Sequence, residues 1–303
     1  MAQSKSFFGL RKGSTKTLTF SVYNGKQVTK DRVVNVKNPR SSMQMKQRAI
    51  MATAIHAYSA LNEICDHSFE NLTYGQKSMN FFVSENARMI RSSAPNVNIS
   101  SYKGISVSNA YVISKGSLAP IKIDSVENET YKVFSTTISV APATLTFGKL
   151  MGALGANNLD DMVTFVWMVD NPGGNASVYW LRLKLTDKNK SISLPTQSSA
   201  PLNILSKLSE GDDFETNIDN FTSENFPIIT NDAGTDTEIY ISEGSPLGSP
   251  VSQSLGVIVS RKSDTGWLRS SSTMVNLFDT YNYSEALATY PGSGEKILNG
   301  GNV

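Results

Sequence analysis

Downstream of Pro95 the apolar side chains of this chain recur at every second position, in short runs bounded by Gly, Pro, Asn and Asp. The runs are "GISVSNAYVI" (104–113), "APIKIDSV" (119–126), "ETYKVFSTTISVA" (129–141), "MVTFVWMV" (162–169) and "SVYWLRLKL" (177–185), with others at 226–230, 237–242, 255–261 and 267–275. Side chains of an extended strand point alternately to opposite faces, so this period predicts strands. Asp170-Asn171-Pro172-Gly173-Gly174-Asn175 predicts a hairpin loop between two of them. "TFGKLMGALG" (146–155) departs from the period and predicts a short helix closed by Gly155 at its C′ position. Many short strands separated by turn signals point to a mainly β chain with a minor α part, built as tandem β-sandwich or jelly-roll-like units.

Upstream of Pro95 the pattern differs. "KTLTFSVYNGKQVTKDRVVNV" (16–36) alternates on both sides of Asn24-Gly25, a pair suited to the positive φ angles of a type I′ turn. Residues 16–23 and 26–36 are therefore expected to form a hairpin, with Lys16, Leu18, Phe20 and Val22 on one face. Ser41-Ser42-Met43-Gln44 fits a capping box, and a helix over about 42–65 would carry Met51, Ala54, Ile55, Tyr58, Leu61 and Cys65 along one face. A second box, Thr73-Tyr74-Gly75-Gln76, would open a helix near 74–91 with Met79, Phe82, Val83 and Ile90 inward. Together these predict an inserted helical hairpin. The expected organisation is a ribbon-plus-hairpin region (1–95) packed on a first β unit (96–195), then a linker, "LPTQSSAP" (194–201), and a second β unit (202–303).

The net charge of +2 conceals a gradient. Residues 1–48 hold eleven Lys and Arg against Asp31 alone, whereas 208–260 hold ten acids and no Lys or Arg. The basic ribbon, with Lys26, Lys30, Arg32, Lys37 and Arg40, is a candidate contact for nucleic acid or for a neighbouring subunit. Asp212, Asp213 and Glu215 are the candidate acidic partners in such a subunit contact. A solvated surface of uneven composition would look the same.

Catalytic vocabulary is sparse in 303 residues with two His and one Cys. No G-x-x-x-x-G-K-[ST], G-x-G-x-x-G or G-x-S-x-G occurs. Cys65-Asp66-His67, with His56 upstream, lacks the spacing of a zinc site, and Cys65 on a helical apolar face reads as an inert core thiol. The acidic run 210–225 misses the calcium-loop pattern. Asp160-Asp161 and Asp212-Asp213 would serve acid–base chemistry only in a cleft that raised one pKa. Trp167, Trp180 and Tyr179, around the 170–175 loop, suit a stacking platform but fit a sheet core better. The expectation is a non-enzyme with no cofactor and no metal. The lone cysteine, the absence of a secretory signal in the first residues and the absence of a long apolar run point to the cytoplasm or a particle assembled there.

Several stretches in order, "VYNGKQVTKDR", "NPRSSMQMKQRAIMATAIHAYSAL", "MNFFVSENA", "SYKGISVSNAYVISKGSLAP" and "VTFVWMVDNPGGNASVYWLRL", resemble an uncharacterised family of Bacteroidota and phage-associated proteins. That family places a G-K-x-V-x-x-x-R ribbon before a Q-x-x-R helix and a Y-x-x-V-x-x-S-x-G-S-L-like strand pair. Gly25, Lys26, Val28 and Arg32 match the ribbon, Gln44 or Gln47 with Arg48 the helix, and Ser114, Gly116, Ser117 and Leu118 the strand. The likeness covers a little over half of the chain, and the last third continues beyond it. In length and strand richness the chain is also similar to double-jelly-roll major capsid proteins of small icosahedral phages. The resemblance implies a virion structural protein: a bacteriophage capsid (coat) subunit, self-assembling as a homo-oligomer around nucleic acid in the host cytoplasm. A tail, tube or decoration protein, or a cytoplasmic nucleic-acid-binding accessory protein, is the alternative.

Overall fold

In the computed structural model the described residues are 2–4, 12–23, 25–32, 41–72, 75–93, 98–99, 107–127, 132–138, 144–171, 175–194, 208–217, 228–232, 237–242, 252–264, 266–278 and 297–298. They are mainly β, with few helices. The chain divides into two units, Met1–Ser41 and Ser42–Val303.

The first unit is a sheet of β1 (Ala2–Ser4), β2 (Gly13–Ser14), β3 (Leu18–Tyr23) and β4 (Lys26–Asp31), in the order β1-β4-β3-β2. Tyr23 pairs with Lys26 and Leu18 with Asp31, so the chain reverses over residues 24–25 as Asn-Gly predicts. Gly25 has φ +72°, a left-handed conformation that a Cβ would penalise. Asn24 lies outside the described residues. Leu18, Phe20 and Val22 are half-buried on one face, as their spacing predicts. The ribbon is the inner pair of a larger sheet, because β1 flanks β4 and β2 flanks β3.

The second unit opens with α1 (Ser42–Ala60), α2 (Asn62–Cys65) and α3 (Gln76–Ser93). Next come β5 (Asn98–Ile99), β6 (Val112–Ser114), β7 (Asp124–Glu127), β8 (Lys132–Ile138) and α4 (Phe147–Ala153). The sheet-forming remainder is β9 (Met162–Asn171), β10 (Asn175–Lys184), β11 (Phe214–Thr216), β12 (Ile228–Asp232) and β13 (Thr237–Ser242). It ends with β14 (Ser252–Ser263), β15 (Gly266–Arg269), β16 (Ser272–Thr273), β17 (Val275–Phe278) and β18 (Ile297–Leu298). The central sheet runs β11-β10-β9-β14-β15, with β17 also paired to β14. A second sheet runs β12-β13-β8-β7, and β16-β6 and β18-β5 form small pairs.

Every residue of β9 from Val163 to Val169 is buried, so both faces of the central sheet are covered. On one face Phe165, Trp167, Leu181, Leu183, Val257 and Val259 pack with Phe147, Leu150, Met151 and Leu154 of and around α4. On the other, Val166, Met168, Trp180 and Ile258 pack with Ile50, Ala54, Leu61, Cys65, Phe82 and Ile90 from the helices. Burying a side chain the size of Phe82 or Ile258 contributes roughly 1.5–3 kcal/mol, so these two layers dominate the stability of the unit. One face of this sheet is thus covered by helices. Thr146 caps α4 by accepting from the Lys149 amide at 3.3 Å, and Gly155, at φ +89°, ends it as its spacing predicts.

The helical hairpin forms, with α1 antiparallel to α3: Tyr58 and Phe82 rings lie 5.5 Å apart, and Arg91 Nη2 donates to Gln47 Oε1 at 3.3 Å. Leu61 interrupts the single helix expected over 42–65. The inward stripe of α1 differs from the expected one. Ala49, Ile50, Thr53, Ala54, Ala57 and Tyr58 are buried, whereas Met51 and Ile55 are 38% and 47% exposed. Apolar residues surround most of α1, so periodicity alone left its rotation open, and small alanines rather than long side chains face the close neighbours. Thr73 and Tyr74 lie outside the described residues.

The strand pairings cross the boundary expected at 195–202. β14 lies against β9, and β13 lies against β8, so strands of the last third complete sheets begun in the middle third. The "QSLGVIVS" run is buried on both sides, from Gln253 to Ser260, which suits a central position better than the edge of a separate unit. The ribbon, expected in one region with the helices, belongs to a different unit from them. Among the described residues no helix is long and apolar enough to cross a membrane.

Candidate functional site

Lys26 and Lys30 are exposed on the same face of the N-terminal sheet, because side chains two and four residues apart in a strand point alike. Their cross-strand partners are Tyr23 and Thr19, and Ser21 pairs with the intervening Val28. Leu18, Phe20 and Val22 occupy the opposite face, so the two lysines share theirs with Tyr23 and the half-buried Val28. β4 is an inner strand, and β1 pairs with its Gln27–Thr29 segment, between the two lysines. Arg32 is exposed just beyond β4; its amide bonds Thr17 O at 2.7 Å and its Nη1 bonds Thr15 O at 3.1 Å. Lys37 and Arg40 lie outside the described residues.

The acidic trio is divided by its surroundings. Asp213 accepts from Asn189 Nδ2 at 3.0 Å, from the Ser209 amide at 3.0 Å and from Thr186 Oγ1 at 3.4 Å. Glu215 accepts from Arg182 Nη1 at 2.9 Å. Both serve contacts within their own chain; Asp212 and Glu215 are exposed and Asp213 is half-buried. Asp160 and Asp161 are likewise placed by cations. Asp160 lies 3.1 Å from Lys184, and Asp161, 1% exposed, takes Arg261 Nη2 at 2.8 Å and Nε at 3.1 Å. That bidentate bond holds the Arg261 guanidinium above its ordinary pKa.

Cys65 is fully buried, and its thiol donates to Ile113 O at 3.6 Å. Burial, with a smaller effect of Asp66, pushes the thiol well above its ordinary pKa. Asp66 ties the end of α2 to the start of α3, accepting from Tyr58 Oη at 3.0 Å and from the Gly75 amide at 2.6 Å. His67 is exposed, 4.0 Å from Asp66, and His56 is half-buried on α1. Among the described residues no group of three or more His, Cys, Asp or Glu could hold a metal ion. Trp167 and Trp180 are both core residues, on opposite faces of the sheet. Trp167 donates to Gln253 Oε1 at 3.0 Å and Trp180 to Glu63 Oε2 at 3.1 Å.

A cleft that no motif marks lies where the helical face of the central sheet runs out. Arg182 on β10 is opposite Thr164, Thr164 is opposite Ile258, and Ser260 is opposite Arg269. Strand register thus brings two arginines, separated by most of a domain in sequence, onto one face beside α2. The signal is legible only after pairing, since neither arginine belongs to a recognisable pattern in the chain. Comparison with protein-family models, with curated proteins and with solved structures finds no match for this chain.

Proposed function

We propose that the chain is a self-assembling structural subunit of a virion, a phage coat protein whose N-terminal sheet meets packaged nucleic acid. The observation that carries this reading is the pair of exposed lysines, Lys26 and Lys30, on one face of that sheet, opposite Leu18, Phe20 and Val22. A polyanion is a natural partner for regularly spaced cations on a rigid strand. The alternative partner, an acidic patch of a neighbouring subunit, is less well supplied, because Asp213 and Glu215 are held by bonds within their own chain. A sandwich or jelly-roll-like arrangement belongs to this proposal too, with the β12-β13-β8-β7 sheet as a candidate outer layer. Size-exclusion chromatography and electron microscopy of the purified chain test it. Closed shells containing nucleic acid are expected. Rings or tubes would assign a tail or decoration role instead, and a monomer that binds nucleic acid would make it an accessory protein.

A further inference from the structure

Along the helical face of the central sheet, the core side chains Val166, Trp180 and Ile258 give way, one strand position on, to Thr164, Arg182 and Ser260. Arg269 of β15 stands opposite Ser260 and completes this polar end. α2 and the residues after it pass over the same place, with Glu63 and His67 facing it. The result is a cleft of about 300 Å³, within the range of small-molecule sites.

The two guanidinium groups are held there by stacking. Arg182 Cζ lies 5.1 Å from the Trp180 ring centroid, and Arg269 Cζ lies 5.2 Å from that of Trp267. Arg182 also bonds Glu215 at 2.9 Å and Thr164 Oγ1 at 3.4 Å. Arg269 is less well served. Its Nε donates to His67 O at 3.3 Å, but its Nη1 is buried with no hydrogen-bond partner among the described residues. Glu70 stands near it, and its Oε1 accepts from the backbone amides of Arg269 and Ser117. Burial first, and the repulsion of Arg182 second, draw the Arg269 pKa down to about 10, against the attraction of Glu70. A buried, charged donor without a partner is unfavourable, and native folds keep such groups where an ion or ligand completes them.

We propose that this cleft binds a phosphate group, with the Arg269 fork and Arg182 as its two cationic arms and Ser260 and Thr164 as hydroxyl donors. A dianion answers both arginines at once and relieves their mutual repulsion, which a single carboxylate does only in part. The volume left beside one phosphate group accommodates the carbon skeleton of a small phosphate ester, and Trp267, 42% exposed, offers it an apolar wall. This site lies in the second unit and is independent of the coat-protein reading, which rests on the first.

Inorganic phosphate, titrated into the full chain at constant ionic strength, tests the site through tryptophan fluorescence and the midpoint of thermal unfolding. A saturable response is expected from the wild type and from Lys122→Gln, whose exposed side chain adjoins residues packed on the other face. Arg269→Gln should weaken the response at least about tenfold, and Arg182→Gln should weaken it less, because Glu215 already shares that arginine. Without phosphate, Arg269→Gln should unfold at a midpoint equal to or above that of the wild type, since it removes an unpaired buried charge. The proposal is overturned by a phosphate response that Arg269→Gln retains, by acetate acting as strongly as phosphate, or by no saturable response. A large drop in the Arg269→Gln midpoint without phosphate would also overturn it, because the arginine would then be a structural prop.

Discussion

Cys65 illustrates at the scale of one residue how burial sets chemistry. Its thiol is fully enclosed, and its folded pKa is raised above the ordinary 9.0 of the free group. The folded state therefore keeps a proton that the unfolded chain releases at high pH. This contribution to stability is complete below about pH 9 and falls away as the pH rises past that value. Tyr58, raised by burial and by its bond to Asp66, acts in the same direction at higher pH. Urea unfolding at pH 8 and pH 10 should show a loss of stability that Cys65→Ala partly removes. Thiol-reactive dye should label Cys65 at pH 8 only as fast as the chain unfolds, and rapid labelling of the native protein would contradict this burial. Cys65→Ser should leave folding and assembly intact with a modest loss of stability, because the thiol mainly packs.

At the scale of elements, the helical hairpin is fastened to the strands by side chains that imitate backbone. Asn86 of α3 donates through Nδ2 to Val112 O at 3.1 Å and accepts from the Val112 amide at 2.8 Å. It thus occupies the place of a neighbouring strand beside β6, and it is 1% exposed. Asn86→Leu would leave both backbone groups of Val112 part-buried and unpaired on that side. Its cost should be about 2–4 kcal/mol in equilibrium unfolding, against less than about 1 kcal/mol for an exposed site such as Ser84→Ala. Equal values for the two variants would show that the helix is not anchored there. Gly116 marks a second close approach. A Cβ at that position would sit 2.2 Å from Arg269 O and 2.3 Å from Glu70 Oε1, so the loop after β6 passes β15 without room for a side chain.

For the whole molecule, the division at Ser41 and Ser42 separates a small cationic sheet from a larger, layered unit. If the sheet contacts nucleic acid, replacing Lys26, Lys30 and Arg32 together by Gln should weaken binding without changing sequence preference. The slope of log K against log salt should flatten by about two to three units, since each phosphate contact releases close to one counterion. Binding measured by fluorescence anisotropy over a range of salt concentrations checks this, and an unchanged slope would remove the cations from the interface. The competing subunit contact predicts impaired assembly with no nucleic acid present, and Asp212→Lys is its proper probe. Asp213→Lys is not, because it would also break the bonds to Asn189 and Ser209.

What the sequence determined by itself is what short-range physics controls. Asn24-Gly25 located a two-residue reversal, Gly155 ended α4, and short apolar-rich runs bounded by turn signals identified β9, β10 and β13 close to their true limits. Backbone conformational preference and side-chain period act over a few residues, so they are readable without knowing what lies opposite. The tertiary structure decided everything that depends on a partner. It chose the face of α1, because that helix is apolar around most of its circumference, and it inserted β14 beside β9, because a strand buried on both sides carries no mark of its neighbour. It also assigned Glu215 to Arg182 within the chain and set Arg182 near Arg269, two outcomes of strand register that no local motif encodes.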